Sequence, residues 1–523
     1  MRIFFAASEM TPYAKTGGLG DVVGALASAM RARGHEVTCC VPYYRSAQEY
    51  FEGEPAAPAF AEASTFAKAA ADKSARPAGA KAVGLTLNIP LGSRTVSGEV
   101  WEWTQADGVR VLFVRRDEFF DRTELYDVGG RAYDDNAERF LFFAKAVVEL
   151  ARHTRYRADV VHCHDWQAAF VPVQMTYQTQ RGMAAERAGR PQPWSAAPPV
   201  KTLLTIHNVA YQGIFWSLDF PLTNLPREYF TMGTLEYYGQ MNLLKGGIVF
   251  ADSISTVSPT YAEEIVTAGG GFGLEGVLAT RTKDLHGIVN GVDYGRWDPE
   301  TDPHLRSRYG REELGGKRAC REDLLTKMRL DAGDRQPVAG FVSRLTAQKG
   351  VEILAGALKG LVRMGVRVAI LGKGEAEYES MLTEVARRYP GRVSVRIGHD
   401  EELAHQIQGG ADMLLVPSQY EPCGLTQLYA MKYGTIPVVR ATGGLDDTVQ
   451  AYDARTGRGT GFKFAAYTAE ALTGAVRRAI MLYKQPRKWE KLMREAMAGD
   501  FSWPASAREY EKLYAAVVHA ASK

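Results

Sequence analysis

Short apolar runs bounded by polar residues alternate along the chain with stretches whose apolar side chains share one helical face. The runs at Arg2 to Ala7 (RIFFAA), Glu36 to Pro42, Val109 to Val114, Asp159 to Cys163 and Lys201 to Ile206 predict buried parallel strands, with Ser253 to Val257 closing the set. Between them, Leu19, Val22, Val23, Leu26 and Met30 line one face of a helix that stops at Gly34, and Asn136 to His153 repeats that pattern. After an irregular stretch to about Gln336 the alternation restarts, with strands at Pro337 to Val342, Val366 to Leu371, Arg392 to Ile397, Met413 to Val416 and Ile436 to Val439. Both halves therefore read as doubly wound α/β sheets. A last helix carries Tyr510, Leu513, Tyr514, Val517 and Val518 on one stripe, with Ser502 as its N-cap and Pro504 in its first turn. That stripe must pack on something, and a return to the first domain would satisfy it.

Length agrees with this division, because 523 residues exceed what one core accommodates. The expected domains are residues 1–288, 289–498 and a C-terminal helix over 499–523. Residues 54–82 and 180–199, rich in Ala and Pro, read as variable excursions without chemistry. Lys plus Arg number 63 against 60 Asp plus Glu, so no basic excess points to nucleic acid or a membrane surface. Five scattered cysteines without CxxC spacing fit a reducing compartment, and no window is apolar enough to span a membrane, so a cytoplasmic protein is expected.

Candidate chemistry gathers where strands end and helices begin. The loop KTGGLGDV puts Lys15 before Gly17 and Gly18 and places Asp21 in the first helical turn, a layout suited to phosphate. HCHDW places His162, His164 and Asp165 at one strand end, and TIHNVAYQG places His207 and Asn208 at another. A metal shared by His162, His164 and His207 lacks a matching acidic or cysteine ligand pattern. A hydrogen-bonded buried histidine accounts for His162, and a polar ligand contact suits His207. In the second half SRLTAQKG offers Arg344 and Lys349, two cations able to clasp a diphosphate at roughly 1.5–3 kcal/mol each. SQYEPCGLTQLY puts Glu421, Cys423 and Gly424 at a strand-to-helix turn, with helix predicted from Leu425 to Met431. TGGLDDTV adds a further Gly-Gly turn at Gly443 and Gly444, the fourth turn of phosphate-friendly design.

Taken together and in this order, KTGGLGDV, HCHDW, TIHNVAYQG, VNGVD, SRLTAQKG, SQYEPCGLTQLY and TGGLDDTV resemble the bacterial glycogen synthase and plant starch synthase family, from Lys15 to about Val449. The resemblance implies a GT-B fold: two Rossmann-like domains facing a deep cleft, with the C-terminal helix packed back on the first. It also implies retaining transfer of glucose from ADP-glucose to the non-reducing-end 4-hydroxyl of glycogen or another α-1,4-glucan, without a metal or cofactor. By the same resemblance Arg344 and Lys349 bind the pyrophosphate, assisted by the backbone of Leu425, Thr426, Gly17 and Gly18, with Lys15 near the distal phosphate. Glu421 and the backbone of Cys423 and Gly424 hold glucose hydroxyls, His207 and Asn290 lie near the 6-hydroxyl, and Asp165 and Asp21 line the cleft.

Three positions bear on how far the resemblance reaches. Gln419 stands where the family usually has Arg, His399 where an aromatic often lies near the adenine, and Tyr429 where some related GT-B transferases carry a second glutamate. The competing expectations are a transferase using UDP-glucose, of the sucrose-synthase kind, and a catalytically silent glucan-binding paralogue. Intact Glu421, Arg344 and Lys349 argue against silence.

Overall fold

A computed structural model describes residues 1–52, 79–187, 200–331 and 336–520. The described chain divides into two compact units, one formed by residues 1–257, 262–291 and 503–523, the other by residues 258–261 and 292–502.

The first unit is built on a sheet whose strands lie in the spatial order Leu285–Gly287, Ser253–Thr256, Lys201–Ile206, Val160–His164, Arg2–Ala6, Glu36–Pro42, Arg110–Arg115, Arg94–Thr104 and Lys81–Leu91. All pairings are parallel except the last two. Apart from the leading Arg2 and Lys201 the central strands are buried, as continuous apolar runs require when helices cover both faces. The chain order reverses between Arg2–Ala6 and Val160–His164, and ligands of open α/β sheets collect at such a reversal, outside the carboxyl ends of the strands.

Three expectations need correcting here. Ser253–Thr256 does not close the set, since Leu285–Gly287 pairs beside it. Residues 81 and 82 belong to a strand rather than an excursion, and they open an antiparallel hairpin that extends the parallel sheet. Its residues alternate between exposed and buried because one face meets water. Residues 180–187 complete the helix Phe170–Arg187; the other parts of both excursions, 54–78 and 188–199, lie outside the described residues.

The C-terminal helix Trp503–His519 belongs to the first unit, and its Trp503, Tyr510, Tyr514 and Val517 share a core with Ile3, Phe5, Val22 and Leu26. Gly291 is required by this packing: a Cβ there would lie 2.5 Å from the Trp503 indole.

The second unit holds an all-parallel sheet in the order Val393–Ile397, Arg367–Gly372, Val338–Val342, Met413–Val416, Ile436–Arg440 and Phe462–Phe464, the last strand not foreseen from the sequence. Its chain order reverses between Val338–Val342 and Met413–Val416. The loops carrying Arg344 and Lys349 and carrying Glu421 therefore leave adjacent strands at the switch point of this sheet.

Candidate active site

In the second unit the two switch-point loops are zipped together. Gly350 adopts φ +71° and lies so close to the strand end at Pro417 that a Cβ would fall 2.1 Å from its carbonyl oxygen. Only glycine fits both demands. The Gln419 N–H donates to the Gln348 carbonyl at 2.8 Å, and the Gln348 amide donates to the Tyr420 carbonyl at 3.3 Å. This closure delivers Lys349 to Glu421: Nζ donates to Oε1 at 2.8 Å and to Oε2 at 2.7 Å, and the Ser418 hydroxyl donates to Oε2 at 2.9 Å. Glu421 is buried and Lys349 nearly so. A buried carboxylate must be paired, and here one ammonium and one hydroxyl supply the partners.

Arg344 is exposed, and its guanidinium forms no ion pair among the described residues. The sequence reading put Arg344 and Lys349 together on one diphosphate; the structure distinguishes them as one cation without an ion pair among the described residues and one already holding a carboxylate.

The EPCG turn is held from below by Gln427, whose amide donates to the carbonyls of Cys423 at 3.1 Å and Gly424 at 2.9 Å. Gly424 takes φ +72°, and a Cβ would meet the Gln427 amide at 2.5 Å. The helix begins at Thr426 with Leu425 as its N-cap, so backbone N–H groups of that first turn lack intrahelical partners. The neighbouring Gly443–Gly444 turn has a different explanation from the phosphate-binding one expected. A Cβ at Gly443 would sit 2.1 Å from the Glu421 carbonyl oxygen and one at Gly444 2.0 Å from that of Cys423. Packing alone demands both glycines, which buttress the EPC backbone.

In the first unit, three adjacent strands end in the loops that carry Glu9, His164–Asp165 and His207. Lys15 Nζ donates to Asp21 at 2.6 Å, and the Thr11 hydroxyl reaches the other oxygen at 3.1 Å. Both charges are about one-third exposed, so the pair is worth roughly 0–1 kcal/mol and Lys15 is readily redirected to another anion. Gly17 and Gly18 are exposed, and a Cβ at either meets nothing within 4 Å. Internal packing does not call for glycine at these two positions.

Glu9 escaped the sequence reading. Its carboxylate accepts the Thr16 N–H and hydroxyl at 2.7 Å each, the Gly17 N–H at 3.3 Å and the Tyr126 hydroxyl at 2.7 Å. It fixes the glycine loop, and the Gly17 amide points to it.

Asp165 sits at φ +53°, an uncommon conformation outside glycine, and its buried carboxylate accepts the His207 N–H at 2.7 Å. Burial pushes its carboxyl up to about 7. His162 is a hydrogen-bonded core residue, engaged by the Tyr514 hydroxyl at 2.8 Å and the Thr205 hydroxyl at 2.5 Å. His164 Nδ1 lies 2.9 Å from His207 Nε2, and burial pushes His207 down to about 3, so the imidazole is neutral. Asn290 is buried with its Oδ1 unpartnered among the described residues. No group of three His, Cys, Asp or Glu side chains among the described residues is arranged to hold a metal ion.

With these geometries in place, similarity to known proteins decides the family. Residues 2–280 match the family model described as the starch synthase catalytic domain, and residues 326–496 that of glycosyl transferases group 1. The chain is 41% identical over 514 residues to a glycogen synthase of Koribacter versatilis, covering 98% of each. The chain belongs to the glycogen and starch synthase family. A glycogen synthase of Anaeromyxobacter dehalogenans is 42% identical over 516 residues, again with 98% of each chain covered. Among solved structures, the catalytic domain of starch synthase IV from Arabidopsis thaliana, bound to ADP and acarbose, superposes with a TM-score of 0.81 at 30% identity over 99% of both chains. Sucrose-phosphate synthase from Thermosynechococcus elongatus shares the fold, with a TM-score of 0.57 at 18% identity. The fold is thus GT-B, built from two Rossmann-like units, and the chain is a glycosyltransferase of the glycogen synthase type. No helix among the described residues is long and apolar enough to cross a membrane. In this glycogen synthase relative the residues absent from the sequence reading, Glu9, Ser418 and Gln427, hold the loops rather than offer free chemistry. Ser418 and Gln427 lay within the motif SQYEPCGLTQLY, and that position was the one signal available.

Proposed function

We propose that the chain transfers glucose from ADP-glucose to the non-reducing-end 4-hydroxyl of an α-1,4-glucan, with retention of configuration. The observation that carries this reading is the Lys349–Glu421 pair with Ser418, set beside the exposed Arg344 where the second unit's sheet reverses. Breaking the bond between sugar and phosphate develops negative charge on the departing nucleotide and positive charge at the anomeric carbon. Arg344 and Lys349 supply preorganised positive charge for the first, and Glu421 offers oxygens to glucose hydroxyls. The backbone of Cys423, Gly424, Leu425 and Thr426 completes the donor contacts. Those two cations meet the leaving group's charge without help from a metal or cofactor.

In the first unit, Lys15 and the exposed backbone at Gly18 suit an anionic phosphate, the Gly17 N–H being turned to Glu9 and Asp21 holding Lys15 in readiness. His207 and the unpartnered Oδ1 of Asn290 suit sugar hydroxyls, and Asp165 fixes the His207 backbone. Attack from the leaving-group face, with the phosphate taking the acceptor's proton, is the course that accounts for retention without a nucleophilic carboxylate. The ADP and acarbose named with the Arabidopsis starch synthase support a nucleotide-sugar donor and a glucan acceptor here.

The test is incorporation of labelled glucose into glycogen by the purified protein, with ADP-glucose and UDP-glucose compared and a Glu421→Ala control. Transfer from ADP-glucose that the substitution abolishes is expected. Preference for UDP-glucose would reassign the donor, and no transfer from either would make a silent glucan-binding protein the better reading.

A further inference from the structure

His164 lies on the strand Val160–His164 between Arg2–Ala6 and Lys201–Ile206, wholly buried and stacked on Phe5 at 5.7 Å with the rings 9° from parallel. Its two ring nitrogens have unequal surroundings. Nδ1 is 2.9 Å from Nε2 of His207, whereas Nε2 has no hydrogen-bond partner among the described residues. Two neutral imidazoles in contact share one proton between the facing nitrogens, so one ring donates and the other accepts. The unpartnered Nε2 decides which. A proton there would be a buried N–H with nowhere to donate, whereas a bare lone pair is the more tolerable orphan. The proton of His164 therefore belongs on Nδ1, and His207 Nε2 is the acceptor. Desolvation holds both rings neutral, which removes the doubly protonated alternative. A neutral His207 whose Nε2 accepts must carry its own proton on Nδ1, on the other side of a ring that is only partly buried.

We propose that His164 is a positioning residue that holds His207 in one tautomer, so that His207 presents an Nδ1–H donor to a hydroxyl of the sugar. Its bearing on transfer rests on the reading of His207 given under the proposed function; the tautomer itself rests on the geometry alone. The neighbouring His162 is held separately by the hydroxyls of Tyr514 and Thr205 and forms no part of this relay. The backbone of His207 is fixed by Asp165, which leaves the ring's proton as the variable that His164 controls.

The experiment uses the full chain labelled with 15N-histidine, His207 being assigned by loss of its signals in His207→Ala. The wild type is expected to show His207 with a protonated Nδ1 and an unprotonated Nε2. His164→Asn, whose amide keeps an N–H donor, should preserve that state, and His164→Phe should convert it to a mixture. In parallel, kcat/KM for glucosyl transfer should fall about tenfold in His164→Phe, the size of one hydrogen bond, with partial rescue in His164→Asn. In the His207→Ala background His164→Phe should cost nothing further. A protonated Nε2 on wild-type His207 would overturn the assignment, and an equal loss from His164→Phe in both backgrounds would reduce His164 to a packing residue. Should the tautomer stand while no donor supports transfer, the sugar-binding role would fall and the tautomer assignment would be upheld.

Discussion

Lys349 and Glu421 are bonded to one another, the ammonium donating to both carboxylate oxygens at 2.8 and 2.7 Å. The residue expected on the phosphate and the residue expected on the sugar thus form a single preassembled pair. Lys349→Met should lower the transfer rate by about 10²–10³. It should also destabilise the chain by about 1–3 kcal/mol, because the buried carboxylate loses its cation. Adding Glu421→Gln should restore thermal stability without restoring transfer. Unchanged melting of Lys349→Met would show that the pair does not form in solution.

Arg344 separates the two effects. Its guanidinium is exposed and forms no ion pair among the described residues. Arg344→Ala should leave stability within about 0.5 kcal/mol of wild type, as for surface positions generally, while the rate falls about 10²–10³. Denaturant titration beside initial-rate assays reads both.

The glycines divide in the same manner. Gly444→Ala forces a Cβ to 2.0 Å from the Cys423 carbonyl oxygen, and Gly424→Ala imposes φ +72° on a side chain 2.5 Å from Gln427. Each should cost about 1–3 kcal/mol of stability. Gly18→Ala meets open space at a helix start and should hold or slightly raise stability. A matching rise in donor KM would show that the loop receives the donor's phosphate, and an unchanged KM would argue against it.

Asp165 makes stability depend on pH in a defined direction. Its folded value, about 7, lies above the ordinary 3.8, so between these limits the folded chain keeps a proton that the unfolded chain has lost. Stability from this group is complete below about pH 4 and declines as pH rises to 7. Asp165→Asn retains an oxygen for the His207 N–H but does not titrate. The urea midpoint of the wild type should therefore fall relative to Asp165→Asn between pH 5 and 8. Parallel curves would refute the buried, neutral carboxyl.

Much of this was legible in the sequence because parallel strands buried on both faces write themselves as apolar runs, and the loops at their carboxyl ends concentrate Lys15, Asp165, His207, Arg344, Lys349 and Glu421. What stayed hidden depends on contacts between loops far apart in the chain. Glu9 reads as an ordinary charge after a strand, yet its carboxylate organises Thr16, Gly17 and Tyr126. Gly443 and Gly444 misled because glycine answers two needs, approach by a ligand and approach by another backbone, and only the packing against Glu421 and Cys423 tells them apart. The hairpin Lys81–Leu91 with Arg94–Thr104 shows alternation rather than a solid run, and its beginning was submerged in an Ala-rich stretch.

The helix Trp503–His519 completes a core whose other members were synthesised hundreds of residues earlier. Tyr514 bonds His162 inside the sheet, and Trp503 closes over Gly291. During synthesis all the strands of the second unit precede the helix that completes the first unit's core. Until that helix forms, the apolar surface around Ile3, Phe5 and Val22 lacks part of its cover, and apolar surface exposed in an incomplete fold is prone to aggregate.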